Sequence, residues 1–95
     1  MFEFKVNKSC QKSRARTASF KLLRGEVKTP MFMPCGTKGM VKGMLPHELD
    51  EMGVQLILGN TYHLGHRPGP EIIKESGRLH KFMDWPNNIL TDSGL

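Results

Sequence analysis

Three apolar runs in this 95-residue chain end in side chains that can do chemistry. Asn88-Ile89-Leu90 runs into Thr91-Asp92-Ser93-Gly94, and Gln55-Leu56-Ile57-Leu58 runs into Gly59-Asn60-Thr61. A carboxylate at the C-terminal end of a parallel strand stands where α/β enzymes place their sites. From there Asp92 can act as base, acid or nucleophile. The Asp-Ser pair also suits the N-cap of a helix following a strand, so both readings stay open. Asn60 and Thr61 can hydrogen-bond such a carboxylate and fix its orientation. Cys35 ends the third run, Met31-Phe32-Met33-Pro34, where nothing beside it marks an activated thiol; it reads as a small wall residue.

Other candidates are weaker. His63 and His66 supply only two ligands, in a segment that contains glycine, with no third ligand at a suitable spacing, which argues against zinc. Gly36, Gly39 and Gly43 form neither GxxxxGK[ST] nor GxGxxG. His47 and His80 have no partner pattern. Met31, Met33, Met52 and Met83 read as packing residues.

The elements that must position these groups follow from periodicity and punctuation. Residues 2–8 alternate apolar and charged, as a half-exposed strand does. With 17–23 and 26–32 they predict an antiparallel hairpin or small sheet, an N-terminal basic arm over 1–28. From Thr29 the order is strand, helix, strand, helix, strand. Met31–Pro34 is the first buried strand, and Pro46–Met52 is a helix with Gly53 past its end and Leu49 and Met52 on one face. Val54–Leu58 is the second strand, followed by a polar loop bounded by Gly59 and Gly65. Pro70 opens a helix over 71–76, Leu79–Met83 adds a turn, and 88–90 is the third strand. The alternation predicts an α/β fold with a parallel sheet over 29–95. Doubly wound sheets and (β/α)8 barrels both begin this way.

Composition bounds the partners. The net charge of +5 is concentrated: residues 1–28 hold eight of the fourteen Lys and Arg against Glu3 and Glu26. The other 67 residues hold six basic and seven acidic side chains. Such an arm suits a polyanion such as RNA through phosphate contacts, or is a solvated face. Two cysteines without a CxxC, no apolar run near the roughly 18 residues of a membrane span, and no signal-peptide pattern predict a soluble intracellular protein with free thiols. The Asp-Ser-Gly ending predicts that the chain is the front part of something larger.

TPMFMPCGTKGMVKG at 29–43, ILGNTYHLGHRPGPE at 57–71 and LHKFMDWPNNILTDSG at 79–94, with KSRARTA at 12–18, closely resemble the tRNA-guanine transglycosylases, or queuine tRNA-ribosyltransferases. The resemblance implies the first three or so strands of an incomplete (β/α)8 barrel, preceded by a hairpin that acts as a flap. It implies exchange of the wobble guanine of tRNA for queuine or another 7-deazaguanine through a covalent ribosyl-aspartate. Asp92 matches the family's proton acceptor and donor at the base, not the aspartate that takes the ribose. Ser93 and Gly94 match the same substrate-contacting loop, Asn60 the asparagine that steadies the aspartate, and Leu58 and Cys35 the wall beside the ribose, where valine is more usual than Cys35. Leu95 departs from the second glycine of the family's motif. The nucleophile and the Cys/His zinc ligands belong to a downstream part of the family, so 1–95 alone is expected to be inactive. The resemblance further implies a tRNA anticodon loop and a free base as partners, a dimer, and a cytoplasmic location. The arginine-containing segment leans towards the eukaryotic catalytic subunit, with a non-catalytic homologous partner and an association with mitochondria. The alternative is a non-catalytic basic fragment that binds tRNA or a subunit.

Overall fold

A computed structural model describes residues 2–93. The expected positions of Gly94 and Leu95 lie outside the described residues. The chain begins with an antiparallel sheet of β1 (Glu3–Ser9), β2 (Arg16–Leu22) and β3 (Gly25–Thr29), ordered β1-β2-β3. The arm is therefore a three-stranded sheet rather than a hairpin, because β3 returns along β2 after the two-residue turn Leu23-Arg24. Side chains alternate across it. Ala18 and Val27, on one face, are buried, whereas Lys21 and Lys28 on the other are exposed.

The run Met31–Pro34 is not a strand. Pro30 and Pro34 have no N–H for a ladder, and Phe32 is 81% exposed. What remains is an isolated parallel bridge, Cys35 to Leu58. Leu58 N–H donates to the Pro34 carbonyl (2.8 Å) and Gly36 N–H to the Leu58 carbonyl (2.7 Å).

Helix α1 (Pro46–Glu51) starts on proline, and its N-cap Leu45 has no side-chain oxygen to offer. Only half of a capping box exists: the Leu45 N–H donates to Glu48 Oε1 at 2.8 Å. Leu49 is buried, but Met52, expected on the same face, is 69% exposed. The helix stops at Glu51, so Met52 lies in the turn and does not continue the buried stripe.

Strands β4 (Leu56–Asn60) and β5 (Asn88–Asp92) pair in parallel. Between them come α2 (Thr61–His66), α3 (Pro70–Glu75) and α4 (Arg78–Met83). The segment expected as a polar loop is thus mostly α2, since the Asn60 side chain caps a helix that begins at Thr61. Leu49, Ile57, Met83 and Trp85 form the core, with Val41, Met44, Val54, Leu79, Phe82 and Ile89 packed against it. Burying aromatic and aliphatic side chains of this size stabilises by about 1.5–3 kcal/mol each.

The two sheets meet at the N-terminal ends of β4 and β5. The buried Asn88 accepts the Arg24 N–H at 3.1 Å through Oδ1 and donates through Nδ2 to the Gly25 carbonyl at 3.2 Å. Its own carbonyl accepts Trp85 Nε1–H at 2.9 Å. Gln55 Oε1 accepts the Lys28 N–H at 3.0 Å. These contacts hold the β2–β3 turn under the start of the parallel pair.

Candidate functional site

The parallel register decides which residues share a face. Leu56 lies beside Asn88, Leu58 beside Leu90 and Asn60 beside Asp92. Alternate residues of a strand point to opposite faces, so these six share one. Ile57, Gly59, Ile89 and Thr91 take the other, where Ile57 and Ile89 join the helix-covered core. The Cys35–Leu58 bridge adds Cys35 to the first face. Cys35, Leu58, Asn60 and Asp92, which the sequence nominates separately, thus stand on one surface.

That surface changes character from bottom to top. At the N-terminal end Leu56 and Asn88 are buried. In the middle Leu58 is half-buried and Leu90 is 45% exposed. At the C-terminal end Asn60 and Asp92 are half-buried, and Ser93 is exposed just beyond. A carboxylate, an amide and a hydroxyl therefore follow a short apolar wall.

Asn60 is held by its own helix. Its Oδ1 accepts the His63 N–H at 3.1 Å, the N-cap bond of α2. With the oxygen so engaged, the Nδ2 hydrogens remain as donors for a neighbouring carboxylate. Asn60 belongs to β4 itself, two residues further along than the predicted strand end. Gly59 before it is buried, and a Cβ there would make ordinary contact with Leu64 Cδ1 at 3.4 Å. Thr61 opens α2 and is exposed.

His63 and His66 also lie on α2, where the Tyr62 ring stacks on His66 at 6.0 Å and meets His63 edge-on at 5.4 Å. Among the described residues no group of three or more His, Cys, Asp or Glu could hold a metal ion. The described residues therefore do not themselves form a zinc centre.

Two large clefts lie elsewhere. One of about 530 Å³ runs between α2, α3, α4 and Thr91, on the helix-covered side. Another of about 470 Å³ is lined by Arg24, His47, Asp50, His80 and Asp84, with Trp85 at its wall. Neither includes Asp92, Asn60, Leu58 or Cys35, because two strands and a bridge make an open face that cannot enclose a ligand. His80 Nε2 is buried without a hydrogen-bond partner. Burial, and then the Arg24 charge, lower the His80 pKa, against a hydrogen bond donated by the ring to the Asn87 backbone, which raises it. This cluster sits beside the β2–β3 turn, away from Asp92.

The sequence reading missed the residues that brace the site from below, Asn88, Gln55 and Arg24. The available signal was an amide at the start of each apolar run, Gln55 and Asn88, which the register sets one residue apart.

The architecture defines a mixed α/β chain in which an antiparallel sheet braces parallel strands, and their C-terminal ends carry a carboxylate, an amide and a hydroxyl. The chain belongs to the queuine tRNA-ribosyltransferase family, whose pattern matches residues 10–95. It is 52% identical over 94 residues to a queuine tRNA-ribosyltransferase of Prochlorococcus marinus (strain MIT 9211), covering 99% of this chain and 25% of that protein. Its identity to that of Acinetobacter baylyi is 56% over 90 residues, covering 95% of this chain and 23% of the relative. With the enzyme of Dictyoglomus turgidum it is 54% over 84 residues, covering 88% and 22%. The chain spans about a quarter of the length of these curated relatives. All three come from bacteria, so the leaning towards a eukaryotic subunit draws no support from them.

Proposed function

We propose that residues 1–95 are the opening of a tRNA-guanine transglycosylase barrel, whose full-length form exchanges the wobble guanine of tRNA for a 7-deazaguanine base. The observation that carries this reading is the register that sets Asn60 beside Asp92, on the face shared with Leu58 and Cys35. In this reading β4, β5 and the Cys35 bridge begin a (β/α)8 barrel and the shared face is its interior. The site then lies at the C-terminal mouth, as in barrels generally.

Replacing guanine by a 7-deazaguanine at the same ribose carbon poses two proton problems. The leaving guanine must gain a proton on its glycosidic nitrogen, and the incoming base must lose one. A carboxyl group beside the base can serve both, as acid in one half-reaction and base in the other. Asp92 takes that role, with the Asn60 amide holding its orientation and Ser93 and Gly94 contacting the base. Leu58 and Cys35 form the wall against the ribose. The carboxylate that bonds to the ribose comes from outside these residues, as do the zinc ligands implied by the resemblance. Single-stranded anticodon bases can be splayed out, which makes the wobble position reachable. The cytoplasm, where tRNA is modified, is the location this function implies. The assembly is a dimer, either with a second copy or with a homologous non-catalytic subunit.

The test is incorporation of labelled guanine into tRNA by the full-length protein. Asp92→Asn should lower exchange by about 10²–10⁴-fold, the range for loss of a general acid-base group, and leave tRNA affinity within a few-fold. Wild-type exchange in that variant overturns the role of Asp92. A wild-type protein without exchange overturns the function itself.

A further inference from the structure

The outer face of the N-terminal sheet is organised by charge. Cross-strand rows run Glu3–Lys21–Glu26, then Lys5–Ser19–Lys28, then Lys8–Thr17. Strict alternation from Lys5 would send Lys8 to the apolar face of Phe4 and Val6. The register shift between Val6 and Lys8 prevents this by placing Lys8 opposite Thr17, on the side of Lys5. Asn7 within the bulge is tied to the same side, its Nδ2 donating to Ser19 Oγ at 3.3 Å. Beyond the last row, Lys12, Arg14 and Arg16 are exposed at the β1–β2 tip. Seven cations and no carboxylate lie between Glu3 and Glu26 in sequence, and those two glutamates flank Lys21 at the opposite end of the sheet. The positive charge therefore grows towards the tip.

We propose that the β1–β2 tip and the adjoining lysine face form an RNA phosphate-backbone contact. The choice of RNA rests on the transglycosylase reading above; the contact itself rests on the rows and the bulge. Exposed lysines on a flat sheet are mobile point charges, suited to neutralising phosphates and unsuited to reading bases. The other end of the same sheet is bonded to Asn88 and Gln55, at the end of β4 and β5 remote from Asp92. The tip lies beside Pro30, before the chain reaches Cys35. The tip is thus the end of the sheet opposite that anchorage, and its cations hold phosphates rather than the reacting base. Such binding acts equally on ground and transition states, so it sets KM for tRNA and leaves kcat unchanged.

The experiment uses the full-length protein and a transcribed tRNA, comparing wild type with K5Q/K8Q/K12Q/R14Q and with a control, K74Q/K81Q, on α3 and α4. Each lost phosphate contact removes about 0.7 from the slope of log Kobs against log[salt]. The quadruple variant should therefore lose about 2–3 in slope and bind about 10²–10³-fold more weakly near 0.1 M salt. Its KM should rise in proportion with kcat unchanged, while the control keeps the wild-type slope. An unchanged slope in the quadruple variant, or an equal loss in the control, overturns the proposal. Tighter wild-type binding to phosphatidylserine vesicles than to tRNA at the same salt overturns it as well. If wild type lacks base exchange but the slope difference persists, the tip contact is supported and the transglycosylase reading alone fails.

Discussion

Asn88, together with Gln55, joins the N-terminal sheet to the parallel pair, and its removal can be costed. It is 5% exposed and makes two side-chain hydrogen bonds, accepting from Arg24 N–H at 3.1 Å and donating to the Gly25 carbonyl at 3.2 Å. A hydrogen bond of this kind contributes about 0.5–1.5 kcal/mol net. Arg24 and Gly25 are exposed residues, so water can replace part of what they lose. Asn88→Ala should therefore destabilise by about 1–3 kcal/mol. Asn88→Asp is the sharper test, because it keeps the shape and the acceptor for Arg24 while turning the donor towards Gly25 into a second acceptor. At neutral pH it also buries a charge, and it should cost more than the alanine change. The sign with pH follows. Burial raises the introduced carboxyl's folded-state pKa above its unfolded value of about 3.9. Its deficit against wild type is full above the folded value and disappears as pH falls below the unfolded one, where the protonated group donates to Gly25. Urea unfolding of the full-length protein across that range is the assay. An Asn88→Asp protein as stable as wild type at pH 7, or a deficit that grows in acid, would refute the reasoning.

Three further outcomes are expected. Gly39 has φ +77°, and a Cβ there would lie 2.8 Å from Phe82 Cε2; Gly39→Ala should lower stability by about 1–3 kcal/mol, measured by urea unfolding. Leu45→Ser should raise stability by up to about 1 kcal/mol by supplying the oxygen that the N-cap of α1 lacks, seen as a higher Tm. Folded His80 has a pKa below its ordinary value of 6.5. Its contribution is therefore intact above about 6.5 and lost as pH falls towards the folded value, where the unfolded chain binds the proton more readily. His80→Gln should flatten the decline in stability between neutral and mildly acid pH, and an unchanged pH profile counts against this.

Where periodicity and punctuation agree, the elements stand close to expectation: β1, β2, α1, α4 and the start of β5 each lie within two residues of their predicted bounds. The misses have physical causes. In Met31–Pro34 the apolar content suggests a strand, but prolines at both ends remove ladder donors and leave one bridge at Cys35. Gly59-Asn60 are poor strand formers, which hid the continuation of β4 to Asn60; only the pairing with Asp92 reveals it. The bulge at Asn7 depends on register with β2, which no local pattern in β1 encodes. Asp92, Asn60 and Cys35 are legible because they follow apolar runs, and Leu58 through the family resemblance; the face these four share becomes visible only through the parallel register.

The two ends of the parallel pair engage their amides to different degrees, and with the proposed function this predicts a separation of stability from chemistry. At the lower end Asn88 spends both its amide oxygen and its amide N–H on backbone partners at Arg24 and Gly25, and Gln55 spends its oxygen on the Lys28 N–H. A substitution there acts through folding. At the upper end Asn60 uses its Oδ1 as a cap, its amide hydrogens meet no partner among the described residues, and the half-buried Asp92 stands beside it in register. A polar group that is oriented yet not fully engaged contributes less to the fold than to what approaches it. Loss of Asp92 should therefore leave the unfolding transition nearly unmoved while base exchange collapses, and loss of Asn88 should do the reverse in proportion to the protein still folded. A large fall in stability on Asp92→Asn would mean that the carboxylate belongs to the structure, and the assignment of the upper end as the reacting edge would fail with it.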